Sequence, residues 1–454
     1  MKTSLVQKYN IPGPRYTSYP TVPYWNNDTF SVESYKSSMI NSFKESNLDE
    51  GISLYIHMPF CESLCTFCGC NKRITKQHDV EWPYILAVLK EWAMYVSLFD
   101  DKPIIKEMHL GGGTPTFFKP ENLKKLINGI IELAVVADGH EFSFEGHPNN
   151  TTKAHLKALY DVGFNRVSFG VQDYNITVQT AIHRIQPFKN VKRVTDWARE
   201  IGYKSVGHDI IFGLPFQTME HVKETILKTK ELCPDRLAFY SYAHVPWIKG
   251  NGQRGFKDSD LPKPELKRQQ YELGKQLLTE VGYHEIGMDH FALATDSLYK
   301  SMQNKSLHRN FMGYTASKTQ AMIGLGVSSI GDSWYGFGQN VKVLEDYYDL
   351  LNHDKLPIYR GHILNDEDLI IRRHILNLMC GFETSWKASN MEFPEIPEVL
   401  MKLKEMEQDE LLEIHSKSIK ILPKGQPFVR NICMAFDLLL QRKTPDVQLF
   451  SMTV

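Results

Sequence analysis

The sequence predicts an α/β fold: a parallel sheet with helices outside it, closed or partly closed into a barrel. From Ser53 onward, short β-rich runs alternate with amphipathic helical stretches. Strands alternating with helices need crossover connections, which make neighbouring strands parallel. The chain of 454 residues is 42% hydrophobic and 23% charged, the composition of a folded protein. Its length predicts roughly two to three domains.

Six strand–helix steps make up the predicted barrel. The strands are expected at 53–58, 106–110, 141–145, 166–171, 204–211 and 236–242. Helical patterns lie between them, around 80–98, 121–136 and 190–202. In a sheet of this kind, reactive side chains cluster where the parallel strands end.

Two further units flank the barrel domain, which is predicted over residues 51–364. Residues 1–50 are predicted to form an extended arm over the active site, because four prolines between Ile11 and Pro23 discourage helix. Residues 365–454 are predicted to form a mostly helical domain, with helices at 366–379 and 397–408 and a small hairpin within 414–425.

Charge and hydropathy exclude several classes of partner. The formal net charge is 52 − 53 = −1, so no global basic field attracts nucleic acid, and no Arg/Lys-rich recognition stretch is present. No run of eighteen apolar residues and no secretion signal is found, which predicts a cytoplasmic protein with no membrane partner. Without heptads, a monomer is expected.

Four of the seven cysteines lie within ten residues, directly after the first predicted strand: Cys61, Cys65, Cys68 and Cys70. Closely spaced thiols in a reducing compartment more often bind metal or do redox chemistry than form disulfides. Three thiolates spaced C-x3-C-x2-C can each bind one iron of a [4Fe-4S] cluster and leave the fourth iron open. The alternative is a zinc site with Cys70 as fourth ligand, although such sites usually pair two halves across a longer spacer.

The remaining cysteines are scattered singly along the chain. We expect Cys233, Cys380 and Cys433 to be core residues.

The cysteine motif, with Phe67 before its third cysteine, resembles the signature of radical S-adenosylmethionine (radical SAM) enzymes. Other stretches resemble oxygen-independent coproporphyrinogen III oxidases (dehydrogenases) across nearly the whole chain: GPRYTSYPT (13–21), GGGTPT (111–116), GVQDYN (170–175), GLPFQT (213–218), GMDHFA (287–292), HRNFMGYT (308–315) and RNICMAFD (430–437). The resemblance implies a partial (β/α)6 radical SAM barrel with an N-terminal arm and a mostly helical C-terminal domain.

The resemblance also implies an activity. In that family the [4Fe-4S] cluster passes one electron to S-adenosylmethionine, and the resulting 5'-deoxyadenosyl radical takes a hydrogen from a propionate of coproporphyrinogen III. Loss of carbon dioxide and one electron leaves a vinyl group, and two rounds give protoporphyrinogen IX. Two S-adenosylmethionine molecules and an electron donor protein such as flavodoxin or ferredoxin are implied.

Two radical SAM relatives remain as alternatives. One is a haem chaperone, which generally lacks the GPRYTSYPT arm and has an aromatic residue where this chain has Cys70. The other is a haem-degrading methyltransferase, which shares the cysteine loop. The arm and Cys70 argue against the chaperone.

The resemblance assigns most of the site residue by residue. Cys61, Cys65 and Cys68 are the expected cluster ligands, and Cys70 is an accessory thiol or a structural one. The first S-adenosylmethionine is expected to contact Tyr55, Phe67, Gly112, Gly113, Thr114 and Glu145, and the second Gln172, Arg184, Asp209, Ala243 and Ile330. After Glu145 the chain departs from the family's usual E-V-D-P, because it reads Gly146-His147-Pro148.

Other assignments rest on residue chemistry as well. Asp209 interrupts an apolar run, so it needs a basic partner or a ligand, and Arg184 is a candidate partner. His57 is either a ligand contact or a core histidine. The four propionates of the substrate need cationic donors. The candidates are Arg15, Arg309 and Arg430, with Tyr16 and Tyr19, although each arginine is equally explained by a structural ion pair.

Overall fold

A computed structural model describes residues 4–247, 252–443 and 447–453 of the chain. Of the predicted arm, residues 1–3 therefore lie outside the described part, and of the predicted C-terminal domain, residues 444–446 and 454 do. No helix in the described part is long and apolar enough to cross a membrane.

The strands, numbered in chain order, are β1 Ile52–Met58, β2 Phe60–Cys61, β3 Arg73–Ile74, β4 Ile104–Gly112, β5 Val135–Gly146, β6 Arg166–Gln172, β7 Ser205–Phe212, β8 Arg236–Ser241, β9 Tyr283–Gly287, β10 His290–Leu293, β11 His308–Asn310, β12 Gly313–Thr315, β13 Ala321–Leu325, β14 Ile330–Ser333, β15 Gly336–Asn340, β16 Ile358–Ile363, β17 Glu383–Ser385, β18 Leu412–His415 and β19 Ser418–Ile421.

The α-helices are α1 Leu5–Tyr9, α2 Val32–Ser46, α3 Glu81–Val96, α4 Pro120–Glu132, α5 Lys153–Tyr160, α6 Ile176–Ala181, α7 Phe188–Ile201, α8 Met219–Leu232, α9 Pro264–Glu280, α10 Ser297–Gln303, α11 Leu344–Asn352, α12 Asp366–Gly381, α13 Ile396–Gln408, α14 Val429–Phe436 and α15 Leu438–Arg442.

Local signals fix where several helices begin and end. Helices α5, α8 and α12 start with capping boxes at Thr152, Thr218 and Asn365, whose side chains accept a hydrogen bond from the backbone N–H three residues on. Helix α7 ends at Gly202, which adopts the left-handed conformation at φ 108°.

A twelve-stranded sheet forms the frame of the molecule, in the order β16-β15-β14-β13-β1-β4-β5-β6-β7-β8-β10-β9. The strands from β13 to β8 in that order run parallel, and both edges continue with antiparallel strands. The predicted α/β fold is therefore confirmed, with all six predicted parallel strands in place. β13 and the antiparallel extensions were not predicted from the sequence.

Two local predictions were wrong. The helix expected over 121–136 ends at Glu132. Val135 already begins β5, and the first residues of that strand are mostly exposed. The expected extended arm contains α1 and, over Val32–Ser46, a full helix with a capping box at Ser31. Helix α2 buries Tyr35, Met39 and Phe43 against the barrel sheet, so this segment belongs to the main core.

A second hydrophobic core joins the start of the chain to its end. It gathers Tyr9, Tyr16 and Tyr19 with residues from α12, α13 and α14. The predicted hairpin is present as β18 and β19, and β17 extends it to three strands. Of the three single cysteines, Cys433 is buried in this core as expected, whereas Cys233 is an exposed helix C-cap.

Candidate active site

The cysteine loop is fixed to the carboxyl ends of the central strands. Its first cysteine, Cys61, ends β2, which pairs with β3. The backbone N–H groups of Gly113 and Thr114, just after β4, donate to the carbonyls of Met58 and Phe60 at 2.8 and 3.0 Å. The loop with its three thiols therefore lies where β1 and β4 end, as predicted.

The environment of the thiols differs from one to the next. Burial raises the pKa of Cys61 to about 11, although the Thr114 hydroxyl lies 3.3 Å from its sulfur. The Cys70 thiol hydrogen-bonds to Cys68 and lowers its pKa to about 6, with burial opposing this effect. Arg184 Nη1 lies 3.6 Å from the Cys65 sulfur. Hydrogen bonding and nearby positive charge thus favour the thiolate of Cys68, the form in which cysteine binds iron, whereas burial favours the thiol of Cys61.

Three soft donors within residues 61–68 fit an iron–sulfur cluster by their chemistry. The charges of Cys65 and Cys68 act on Cys61, so the thiols lie within electrostatic range of one another. In the described part of the chain, no three His, Cys, Asp or Glu side chains are grouped as ligands of a single metal ion.

Glycine is required at the turn after β4. Gly112 has φ +104°, and a Cβ atom there would lie 2.4 Å from the His57 ring. A Cβ atom on Gly113 would lie 2.6 Å from the Met58 carbonyl oxygen. The backbone therefore approaches the neighbouring strand more closely than any side chain allows.

A cavity of about 620 Å³ opens beside the cysteine loop. Its wall includes the predicted site residues Tyr55, His57, Cys70, Gly112, Glu145 and Ile330. It also includes residues that the sequence analysis did not select: His109, Phe311, Met312, Gln339 and Lys342. The cavity combines apolar, acidic and basic groups, as binding sites for organic ligands commonly do.

His57 is a neutral, oriented side chain in this wall. Burial lowers its pKa. Its Nε2 lies 2.8 Å from the carbonyl oxygen of Asn71, which only accepts, so Nε2 carries the proton. Nδ1 then accepts from the Tyr55 hydroxyl at 3.1 Å. These bonds fix both rings at the edge of the cavity.

Comparison with known proteins identifies the family. Residues 55–228 match the Radical SAM superfamily. An oxygen-independent coproporphyrinogen III oxidase from Helicobacter pylori is 39% identical over 440 residues, 96% of each chain, and one from Synechocystis is 37% identical over 460 residues, 99% and 97%. The solved structure of coproporphyrinogen III oxidase from Escherichia coli, described as a radical SAM enzyme, superposes with TM-score 0.87 at 35% identity, covering 93% of this chain and 97% of that one.

This chain belongs to the oxygen-independent coproporphyrinogen III oxidase family. The predicted family and the predicted radical SAM barrel are thereby confirmed. Radical SAM enzymes use S-adenosylmethionine and a [4Fe-4S] cluster, so membership of this superfamily supports the two predicted kinds of cofactor.

Asp209 faces a second cavity of about 90 Å³, whose wall shares His109, Glu145 and Met312 with the first. Its carboxylate accepts a hydrogen bond from Ser168 at 3.0 Å. Burial and the charge of Glu145 raise the pKa of Asp209 to about 7. Arg184, a candidate partner of Asp209 on sequence grounds, bonds instead to the Gly170 carbonyl and to Gln186.

The other residues that the family resemblance indicated lie around the cysteine loop rather than in the main cavity wall. Gln172, at the end of β6, is buried and has φ +66°, unusual for a residue with a side chain. Ala243 follows β8, and its carbonyl accepts from Gln253 at 2.8 Å. Phe67 packs against an apolar cluster that includes Val178 and Ile182.

None of the side chains predicted to bind propionates lies in the wall of the main cavity. Arg15 forms an ion pair with Asp289 at 3.1 Å, the structural alternative considered for it. Tyr16 donates to Asp437 at 3.1 Å inside the second core. Arg309 donates to the carbonyls of Tyr16 and Arg15, and Tyr19 is buried beside them.

Arg430, the remaining arginine considered for propionate binding, donates its hydrogen bonds to backbone carbonyls rather than to a carboxylate. The basic residue that does line the main cavity is Lys342. Burial and the nearby Arg360 lower its pKa. The sequence carries no local signal for Lys342, because a single lysine after a short strand is unremarkable.

Proposed function

We propose that this chain converts two propionates of coproporphyrinogen III to vinyl groups without oxygen and so forms protoporphyrinogen IX. Each propionate then loses one carbon dioxide, one hydrogen atom and one electron. The observation that carries the proposal is a cysteine loop whose Gly69, Cys70 and Asn71 line a cavity of about 620 Å³, in a chain 37–39% identical to named enzymes of this reaction.

In this proposal Cys61, Cys65 and Cys68 bind the [4Fe-4S] cluster. The bound cluster and S-adenosylmethionine supply one-electron hydrogen abstraction at carbon. Tyr55 and His57 hold the wall of the cavity through their shared hydrogen bond. Because Gly112 and Gly113 have no side chains, their backbone leaves room for the amino-acid end of the cofactor. The hydroxyl of Thr114 lies 3.3 Å from the Cys61 sulfur.

Glu145 is assigned to the ammonium group of the first S-adenosylmethionine. Although burial opposes ionisation, the hydrogen bond and charge of His109 keep the pKa of Glu145 below its usual value. A carboxylate therefore persists at neutral pH, as a cationic ligand requires. Ile330 lines the same cavity as Glu145, so we assign it to this first molecule rather than to the second.

A second S-adenosylmethionine remains a proposal, with Gln172, Arg184, Asp209 and Ala243 as its contacts, while Phe67 of the cysteine loop stays assigned to the first molecule. Its support is the partly buried carboxyl of Asp209, whose hydrogen bonds in the described chain include a hydroxyl donor but no cationic one. A ligand ammonium group would offset that burial.

The Lys342 ammonium is the group we assign to a substrate propionate, together with the amide of Gln339 in the same wall. Cys70 lies between this wall and Cys68, so we assign it an accessory role at the cluster. We also propose flavodoxin or ferredoxin as the electron donor, a monomeric state and a cytoplasmic location. Lys72, whose ammonium lies beside the Cys68 and Cys70 carbonyls, suits an acidic donor, whereas Arg73 is already paired with Glu345.

Anaerobic incubation with coproporphyrinogen III, S-adenosylmethionine and a reductant tests the proposal. We expect protoporphyrinogen IX and 5'-deoxyadenosine together. Haem binding without either product would favour a chaperone, and methyl transfer with haem breakdown would favour the methyltransferase. Purified protein holding zinc without iron and sulfide would overturn the radical chemistry.

A further inference from the structure

We propose that His109 is a positioning residue that holds the Glu145 carboxylate in the orientation that binds the ammonium group of S-adenosylmethionine. The inference rests on the proposed function and adds to it a residue that no sequence motif indicated. His109 lies on β4, directly before the glycine turn, and lines both cavities.

The sheet register places His109 between two partners. Across β1, β4 and β5, Tyr55, His109 and Ser143 are direct neighbours in one row. The rings of Tyr55 and His109 are stacked, with centroids 6.1 Å apart and planes at 17°. Ser143 Oγ lies 2.7 Å from His109 Nδ1. The imidazole is therefore fixed on one face and at one nitrogen.

The other nitrogen of the ring faces the carboxylate. His109 Nε2 lies 3.5 Å from Glu145 Oε1. When Ser143 Oγ donates to Nδ1 rather than to the Met108 carbonyl 3.5 Å away, the ring proton lies on Nε2, which then points at Glu145. Hydrogen bonds in ligand-free sites are commonly long and shorten when the ligand binds.

Gly111 keeps the space between the two side chains open. A Cβ atom there would lie 3.1 Å from His109 Nε2 and 3.2 Å from Glu145 Oε1. Any larger residue would press on both groups at once. This gives the first glycine of GGGTPT a steric purpose different from that of Gly112, which is needed for its positive φ.

Several other charged or titratable groups face Glu145. They are Tyr55 and His57 from β1, Cys70 from the loop, Asp209 from β7 and Tyr240 from β8. Among the groups that favour the ionised carboxylate, His109 has the largest effect, ahead of the Gly112 backbone N–H and of His57. Without His109, less positive charge and one hydrogen bond fewer would offset the repulsion between the Glu145 and Asp209 carboxylates.

Calorimetric titration of S-adenosylmethionine into the anaerobically purified, cluster-loaded enzyme tests the inference. His109→Phe keeps a flat ring beside Tyr55 but removes the donor, and we expect Kd to rise about tenfold or more. His109→Gln restores an N–H donor and should bind within about threefold of wild type. Ser143→Ala removes the group that fixes His109 Nδ1 and should give a Kd between those of wild type and His109→Phe. This milder variant tests the same contact if His109→Phe does not fold.

Two further variants separate the possible failures. Glu145→Gln should weaken binding as strongly as His109→Phe. His140→Phe is the matched control, because the His140 ring nitrogens lie against the Ala137 and Gly163 carbonyls, away from both cavity walls, and its Kd should not change. Melting temperatures of all variants report whether each protein is folded.

The pattern of results decides between the two claims. If Glu145→Gln weakens binding and His109→Phe does not, the positioning role is overturned and the proposed function stands. If Glu145→Gln itself has no effect, the proposed ligand site is wrong. A second readout is the pH profile of Kd: in His109→Phe the acidic limb should move to higher pH, since Glu145 then protonates more readily. An unmoved limb would contradict the inference.

Discussion

Arg430, on α14, donates from its Nε atom to the carbonyl oxygen of Pro14 at 2.8 Å. Its other two nitrogens donate to the carbonyls of Gly13 and Met452, so one buried guanidinium joins both ends of the chain. Burial and the nearby Arg15 charge lower its pKa to about 9. Around it, Pro12 pairs with Met452, and the N–H groups of residues 13 and 453 bond across the two segments.

Replacement of Arg430 should therefore destabilise the protein through the chain ends. In Arg430→Leu three carbonyls lose the donor that a buried guanidinium supplies, which should lower the free energy of unfolding by about 2–5 kcal/mol. Denaturant unfolding measures this change. Arg442→Leu is the matched control: Arg442 pairs with Glu367 and Glu395 on an exposed surface and should cost less than about 1 kcal/mol. Equal losses in both variants would contradict this account.

Gly112 and Gly69 offer a direct test of the backbone turn. Gly112→Ala must place a methyl group at φ +104°, against the His57 ring, so it should destabilise by about 1–3 kcal/mol and displace His57 from the cavity wall. Gly69→Ala has open space around its Cβ position and no positive φ, so its free energy of unfolding should stay within about 0.5 kcal/mol. Denaturant unfolding compares the two, and a neutral Gly112→Ala would rule out the steric explanation.

The sequence predicted what local patterns encode. The strands from β1 to β8 that form the barrel were found because each combines a β-rich run with a following helical period. β13 was missed because its five residues are all buried and show no alternation. Helix α2 was missed because its buried face includes three serines and only three large apolar residues.

The candidate site likewise contains residues that local sequence patterns mark and residues that only the fold brings together. The three cluster cysteines lie within eight residues, so spacing alone marks them. His109, Ser143 and Glu145 are brought together by the register of β4 and β5, which no local pattern encodes. For the same reason chemistry alone offers Arg184 as a candidate partner of Asp209, whereas the fold directs it to the Gly170 carbonyl and the Cys65 sulfur.

Loss of one cluster thiol should remove the cofactor without unfolding the protein. Cys65→Ser leaves two thiols of the motif, so we expect iron and sulfide content, brown colour and product formation to be lost together. Cys65 is half-exposed and outside the hydrophobic cores, so the melting temperature of cluster-free protein should be unchanged. Cys233→Ser, an exposed cysteine distant in sequence, should keep full iron content. Continued decarboxylation by Cys65→Ser would contradict the ligand assignment.

Glu91 should make stability depend on pH independently of the active site. It is fully buried on α3 and accepts hydrogen bonds from the Gly326 N–H at 2.8 Å, Tyr347 at 2.6 Å and Asn340 at 2.6 Å. Burial raises its pKa to about 7, although these bonds oppose the shift. Between its unfolded pKa of about 4.5 and pH 7, the folded protein holds a proton that the unfolded chain has lost.

The free energy contributed by Glu91 should therefore fall as pH rises through this window and level off above it. Glu91→Gln cannot titrate, so the stability advantage of wild type over this variant should shrink by about 2–3 kcal/mol between pH 5 and pH 7.5. Denaturant unfolding of both proteins at several pH values measures the difference. A difference that stays constant would show that Glu91 titrates alike in the folded and unfolded chains, whereas one that grows with pH would mean that its folded pKa is lowered.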